Sequence, residues 1–209
     1  EKKMEILKAE KLTKIYNDSE VKVQALKDID LTVNKGDFMV IAGESGSGKT
    51  TLLNALGTLD MPTEGKIYLS GEDISKKSDK ELSNIRLDRI GFIFQAYNLI
   101  PVLTAIENVE FSMMLKGIPE SERRKKAISV LKDLKIEEYA HKRPNQMSGG
   151  QQQRVAVARA LVNDPLIILA DEPTANLDYD TGENLLNMMR KMNEEKNITF
   201  VFSSHDGQV

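Results

Sequence analysis

The 209-residue chain contains no cysteine. That excludes a disulfide framework and leaves the fold indifferent to redox compartment. No apolar run approaches the roughly 18 residues needed to cross a bilayer; the longest pure run in the C-terminal third is Pro165–Ala170. The opening residues Glu1-Lys2-Lys3-Met4-Glu5 also lack the apolar stretch of a secretory leader. A strong excess of one charge is missing too: the formal net charge is −3, which speaks against a dedicated nucleic-acid binder. The one dense basic run, Arg123-Arg124-Lys125-Lys126, lies on a helical pattern among Glu120, Glu122 and Asp133, so it reads as a solvated helix face. Neither a long internal repeat nor a low-complexity linker is present. These absences leave the expectation of a soluble, intracellular, mixed α/β protein, long enough for one domain or a domain with a subdomain.

Apolar patterning supplies the outline. Residues 4–42 read as short strands broken at the turn signals Asn17-Asp18-Ser19 and Asn34-Lys35-Gly36. Further strands are predicted at Phe38–Ala42, Gly65–Leu69, Ile90–Phe94, Leu166–Ala170 and Ile198–Phe202. Helices are predicted from Thr51 to about Gly57, within Thr104–Ala140, over Ser148–Val162 and around 180–195. Strands alternating with helices imply a mainly parallel sheet covered on both faces. The block 96–160 holds no strand pattern and is expected to form a helical subdomain. It would be inserted between 1–95 and 161–209 of a single domain.

Chemistry enters at Gly43-Glu44-Ser45-Gly46-Ser47-Gly48-Lys49-Thr50, which fits G-x-x-x-x-G-K-[ST] at every fixed position. It follows a strand-like run and opens a helix-like one, the context this phosphate-binding loop requires. Glycines let backbone N–H groups converge on phosphate oxygens at a helix N-terminus, where the dipole favours anions. Lys49 is expected to reach the β- and γ-phosphates, Thr50 to touch Mg²⁺, and Thr51 to continue the nucleotide contact. A glycine-rich turn with a surface lysine is the weaker alternative, because the pattern arises by chance in roughly one such chain in a hundred. Downstream, Asp171 and Glu172 end the buried run Leu166–Ala170. A carboxylate there is placed to hold Mg²⁺, and the next one to orient or deprotonate an attacking water. The alternative is a strand end with two acids facing solvent.

A third signal, Met147-Ser148-Gly149-Gly150-Gln151-Gln152-Gln153-Arg154, resembles the signature of the nucleotide-binding domain of ABC transporters. Met147 stands where that family has leucine. In order along the chain, Tyr16 matches the aromatic that stacks on adenine and Gln95 the residue contacting Mg²⁺ and the water. Ala175-Asn176-Leu177-Asp178 matches the loop touching the opposite phosphate site, and His205 the histidine bonding the γ-phosphate. Taken singly, Tyr16 and His205 would pass for ordinary core or surface residues; His141 has no motif around it.

The resemblance covers nearly the whole chain and implies a P-loop ATPase core with N-terminal antiparallel strands and an inserted helical subdomain. ATP and Mg²⁺ are the implied cofactors. The phosphate loop of one copy would face Ser148, Gly149, Gly150 and Gln151 of a second, head to tail. A separate membrane permease is the implied partner, which puts the chain in the cytoplasm on the inner membrane face. The runs Phe94–Val109 and Ala170–Asp178 look like the lipoprotein-releasing and macrolide-exporter subgroup. Soluble ABC-type ATPases of DNA repair, translation or cell division are the alternative. The repair proteins, however, place a long coiled coil between the two motifs, and the translation factors carry two such domains. Family members continue past the histidine with a further helix and strands, so the sheet is not expected to be complete at Val209. Finally, Tyr97, Leu99, Ile100, Val102 and Leu103 cluster around Pro101 in a loop-like stretch. That cluster reads either as a groove for a short permease helix or as a cap on the subdomain core.

Overall fold

The computed structural model describes residues 3–18 and 21–205. Two 14-residue strands, β1 (Glu5–Asp18) and β2 (Val21–Asn34), form a long antiparallel pair with Leu7 opposite Val33 and Tyr16 opposite Val23. The sequence pattern suggests several shorter strands here. The chain instead absorbs its irregularities as bulges, where Lys11 and Asp28 take φ of 47° and the register shifts between Ala9 and Leu12. Of the first turn signal, Asn17 and Asp18 end β1 while Ser19 lies outside the described residues; Asn34–Gly36 does turn, with Gly36 at φ 79°.

β3 (Phe38–Ala42) and α1 (Lys49–Leu56) flank the glycine-rich loop. β4 (Glu64–Leu69) and the short β5 (Glu72–Asp73) complete the antiparallel sheet, in the order β2-β1-β4-β5. α2 (Asp79–Arg89) precedes β6 (Ile90–Ile93). Three helices follow with no strand between them among the described residues: α3 (Ala105–Leu115), α4 (Glu120–Asp133) and α5 (Gly149–Leu161). The chain closes with β7 (Ile167–Ala170), α6 (Tyr179–Lys196) and β8 (Phe200–Ser204). The second sheet is parallel, in the order β3-β8-β7-β6.

Side-chain alternation along these central strands divides the core. Ile168, Ala170, Phe200 and Phe202 face α3, α4, α5 and α6, whereas Ile167, Leu169 and Val201 face α1, α2 and the antiparallel sheet. Both faces are buried, which is why the strands read as unbroken apolar runs rather than as alternating ones.

The close seat of α5 on the parallel sheet has a specific cause. A Cβ placed on Gly91 of β6 would stand 2.5 Å from the Ala160 carbonyl oxygen of α5. Backbone cannot yield as a side-chain tip can. Gly91→Ala should therefore cost about 2 kcal/mol by overpacking, read as a lower denaturation midpoint in urea. Because α5 begins at the signature, the same change should tilt that segment.

Candidate nucleotide site

The glycine-rich loop leaves β3 and enters α1 through Gly48, whose φ is 93° and whose added Cβ would lie 2.6 Å from the Ala25 carbonyl. Only glycine fits there. An added Cβ at Gly46 meets nothing within 4 Å, and Glu44, Ser45, Gly46 and Ser47 are exposed. The loop thus presents an open concavity at a helix N-terminus. Lys49 is buried and curls back across it: Nζ donates to the carbonyls of Gly43 (2.7 Å) and Glu44 (2.8 Å) and stands 4.0 Å from Glu172 Oε1. The lysine is therefore held over the loop by contacts that phosphate oxygens can replace.

Thr50 meets the acid pair directly. Its hydroxyl reaches Asp171 at 2.9 Å (Oδ2) and 3.1 Å (Oδ1). Asp171 is fixed to the sheet by its own N–H, which donates to the Ile93 carbonyl, and Glu172 follows at φ 43°. That left-handed backbone is costly for a non-glycine residue and turns the Glu172 side chain towards His205, whose Nδ1 lies 2.9 Å from Oε2. The Glu172 carboxylate so lies between the Lys49 ammonium and the His205 ring. A depression of about 440 Å³ beside it is lined by Glu172, Thr174, Asp178, Tyr179, Ser203 and His205.

Tyr16 sits at the edge of this group. Its hydroxyl donates to Asp60 Oδ2 at 2.6 Å, and the Lys14 ammonium stands 5.1 Å from the ring centroid. The bond to Asp60, followed by burial, raises the Tyr16 pKa, while the Thr51 hydroxyl partly offsets this. Contact with Thr51 places the ring beside the start of α1. Burial alone would raise the Asp60 pKa, but the bonds from Lys14 and Tyr16 prevail and lower it. Lys14 and Asp60 carry no signal in the sequence, where a lone Lys in a strand and a lone Asp near a turn are ordinary.

The remaining predicted residues gather at a second place. Ser148 caps α5, accepting from the Gln151 N–H at 3.3 Å, while the Gln151 side chain receives the Ser148 N–H at 2.7 Å. That reciprocal pair satisfies two helix-end donors and leaves the Ser148 O–H free to donate. Added Cβ atoms on Gly149 and Gly150 would meet Tyr97 Oη at 2.8 Å and Thr181 Cγ2 at 2.5 Å. The signature therefore lies flush against the Gln95 loop and the start of α6. Asp178 caps α6 through the Thr181 N–H at 3.0 Å; bonds from Thr181 lower its pKa. The Gln95 carbonyl accepts from Asn176 Nδ2 at 2.8 Å, and Gln153 Nε2 donates to the Pro173 carbonyl, so loop, signature helix and acid pair are tied together. Among the described residues, no hydrogen bond or ion pair joins Ser148–Gln151 to Gly43–Thr50 or to Asp171 and Glu172.

The apolar loop after Gln95 differs from the groove reading. Tyr97, Leu99, Ile100 and Leu103 are half-buried, with Leu99 packed on the helical core, and of this cluster only Val102 is largely exposed. Two side chains build the loop from below. Asn108 bonds Ile100, Leu103 and Thr104, and Arg159 donates to the carbonyls of Tyr97 and Asn98, both at positive φ. Exposed apolar surface lies instead on α3, at Phe111, Met114 and Leu115.

The donors fit ATP with Mg²⁺. The loop is a cradle that Cβ atoms at Gly43 or Gly48 would crowd, at 2.7 and 2.6 Å from Ser47 Oγ and the Ala25 carbonyl. Thr50 and Asp171 offer hard oxygen ligands. No group of three or more His, Cys, Asp or Glu side chains that could hold a metal exists among the described residues; an ion that keeps several waters and takes other ligands from phosphate does not need one.

A profile of the ABC transporter family matches residues 26–175. The chain belongs to that family and is an ABC-type ATPase. It is similar to the ABC transporter ATP-binding protein MJ0796 of Methanocaldococcus jannaschii, 49% identical over 205 residues, covering 96% of this chain and 87% of that one. It is also similar to the macrolide export ATP-binding/permease protein MacB of Brucella melitensis. That match is 45% identical over 198 residues, 95% of this chain but 31% of MacB. Among solved structures, dimeric MJ0796 superposes with a TM-score of 0.89 at 48% identity, covering 96% of this chain and 88% of that one. A second MJ0796 dimer, in a post-hydrolysis state bound to ADP and Pi, matches equally well. The α/β core with one parallel and one antiparallel sheet is thus the expected fold.

Proposed function

We propose that two copies of this chain bind two ATP molecules head to tail and drive a membrane permease of the macrolide- or lipoprotein-export type. The observation that carries the dimer is that the helix starts at Gly48 and Ser148 are separate, with no bond between them among the described residues of one copy; we read both as anion-binding. A head-to-tail pairing brings each to the other's nucleotide, and a two-fold pairing completes both sites at once. Mg²⁺, held by Thr50 and Asp171 and reached in this reading by the exposed Gln95 side chain, would supply charge neutralisation at the β- and γ-phosphates. Lys49 exchanges the carbonyls of Gly43 and Glu44 for phosphate oxygens. Glu172, its rotamer set by His205 at Oε2, turns Oε1 to the attacking water and takes its proton. Tyr16 offers a ring held at its hydroxyl by Asp60 for adenine, and Asp178 brings its loop to the opposite copy. In this reading 96–160 moves as a unit against 1–95 and 161–209.

No helix among the described residues is long and apolar enough to cross a membrane; in this reading closure acts on a membrane permease. We place that contact on α3. Phe111, Met114 and Leu115 are exposed there, at 37%, 48% and 61%. Beside them Arg86 and Arg159 line a cleft of about 160 Å³ with Phe92, Phe94 and Ser112. Neither guanidinium has a carboxylate partner among the described residues, and burial lowers the Arg159 pKa. Since Arg159 holds Tyr97 and Asn98, pressure on the cleft is felt at Gln95. Such a partner confines the chain to the cytoplasmic face of the membrane. Changing Phe111 and Leu115 together to Ser should leave the ATPase rate of the purified chain within about two-fold, because exposed positions carry little stability. The same pair should abolish co-purification of the co-expressed permease; retained assembly and transport would place the contact elsewhere.

A further inference from the structure

Ser203 lies on β8, one residue past the predicted apolar run Ile198–Phe202, and none of the motifs includes it. It is fully buried, yet its hydroxyl makes two bonds into the acid pair. Oγ donates to Asp171 Oδ1 at 2.7 Å and accepts from the Glu172 N–H at 2.9 Å. The β7–β8 register ends at Ala170 opposite Phe202. The next two residues of β7's chain are therefore held by a side chain where the strand pairing stops. We infer that Ser203 is a positioning residue that sets Asp171 for the metal and Glu172 for the water through one hydroxyl.

The donor count makes the assignment specific. Ser203 has one hydrogen, and it is directed to Oδ1 from the buried side. Thr50 is exposed and approaches most closely at Oδ2, at 2.9 Å. One oxygen of Asp171 is thus tied inward, and the other is turned towards Thr50 and open space, where a cation would meet both. The second bond acts on the backbone. Glu172 holds φ at 43°, a conformation that persists only when its surroundings impose it. The Glu172 N–H directed at Ser203 Oγ is one such restraint, and His205, two residues along from Ser203, supplies another at the carboxylate. A strand that moves when His205 is displaced would so carry the orientations of Asp171 and Glu172 with it.

This inference rests on the reading of Asp171 as a Mg²⁺ ligand. The test is binding of a fluorescent ATP analogue to the whole chain in EDTA and across a Mg²⁺ titration, together with steady-state ATPase. Ser203→Ala should bind the analogue in EDTA as the parent does. It should require about five-fold more Mg²⁺ for half-maximal enhancement and lose about ten-fold in kcat, with the KM for ATP within two-fold. Ser203→Thr, which keeps the hydroxyl, should restore both. Should the alanine variant fold poorly, Ser203→Cys, close in shape but a weak donor, is expected to reproduce the Mg²⁺ shift. An unchanged Mg²⁺ requirement in a folded variant, or equal weakening in EDTA and in Mg²⁺, would overturn the role. Asp171→Asn serves as the control: if it too leaves the Mg²⁺ enhancement intact, the metal reading itself fails.

Discussion

Glu172→Gln should reduce ATP turnover by at least about 100-fold while leaving ATP affinity unchanged. A general base contributes roughly 10²–10⁴-fold, and glutamine keeps the size and shape of the side chain without its proton affinity. The geometry supports so clean a separation. Glu172 reaches Lys49 only at 4.0 Å and bonds no loop atom, so the nucleotide cradle does not depend on its charge. The amide can still pair with His205 Nδ1. With hydrolysis blocked, ATP should hold two copies together, seen as a doubling of mass on size-exclusion chromatography with light scattering. Turnover close to the parent rate would remove Glu172 from the chemistry.

Lys49→Ala should lower ATP affinity about 100-fold and leave AMP affinity unchanged. The ammonium is buried and already aimed across the loop, so little ordering cost attends its transfer to phosphate oxygens. A hydrogen bond from a charged donor contributes roughly 1.5–3 kcal/mol, and every 1.4 kcal/mol is tenfold in affinity. AMP carries no β- or γ-phosphate, so calorimetry with both nucleotides separates loss of the lysine from collapse of the loop. Equal weakening of both would mean that Lys49 mainly braces Gly43 and Glu44.

How much of this could be read ahead of the structure varied with the kind of signal. Loop, acid pair and signature announce themselves because their chemistry depends on backbone spacing within eight residues. The doubly buried strands follow from apolar runs. α2 was missed: only Leu82 and Ile85 are buried on it, too few for a periodic stripe, although Ser78 and Glu81 form the capping box that marks its start. The long β1–β2 pair was hidden because its kinks use Lys11 and Asp28 at positive φ, where sequence reading looks for glycine. Ser203, Asp60 and Arg159 act on partners 32, 44 and about 60 residues away. No local pattern encodes such contacts. Of the two readings of the apolar loop after Gln95, Leu99 packed against the helical core fits the cap.

The head-to-tail arrangement is tested most directly by mixing two inactive chains, Lys49→Ala and Gly149→Asp. The first keeps its signature and the second its phosphate loop. Gly149→Asp sets a carboxylate against Tyr97 Oη, in a gap where even a Cβ stands at 2.8 Å, and adds negative charge at the helix start proposed to meet the partner copy's nucleotide. In a mixed dimer one site combines both lesions, and the other combines an intact loop with an intact signature. ATP hydrolysis should therefore reappear on mixing, at roughly a quarter of the parent rate when half the dimers are mixed and each has one working site of two. Mixed dimers that form, as shown by mass, yet hydrolyse no more ATP than the separate chains would contradict a site shared between copies.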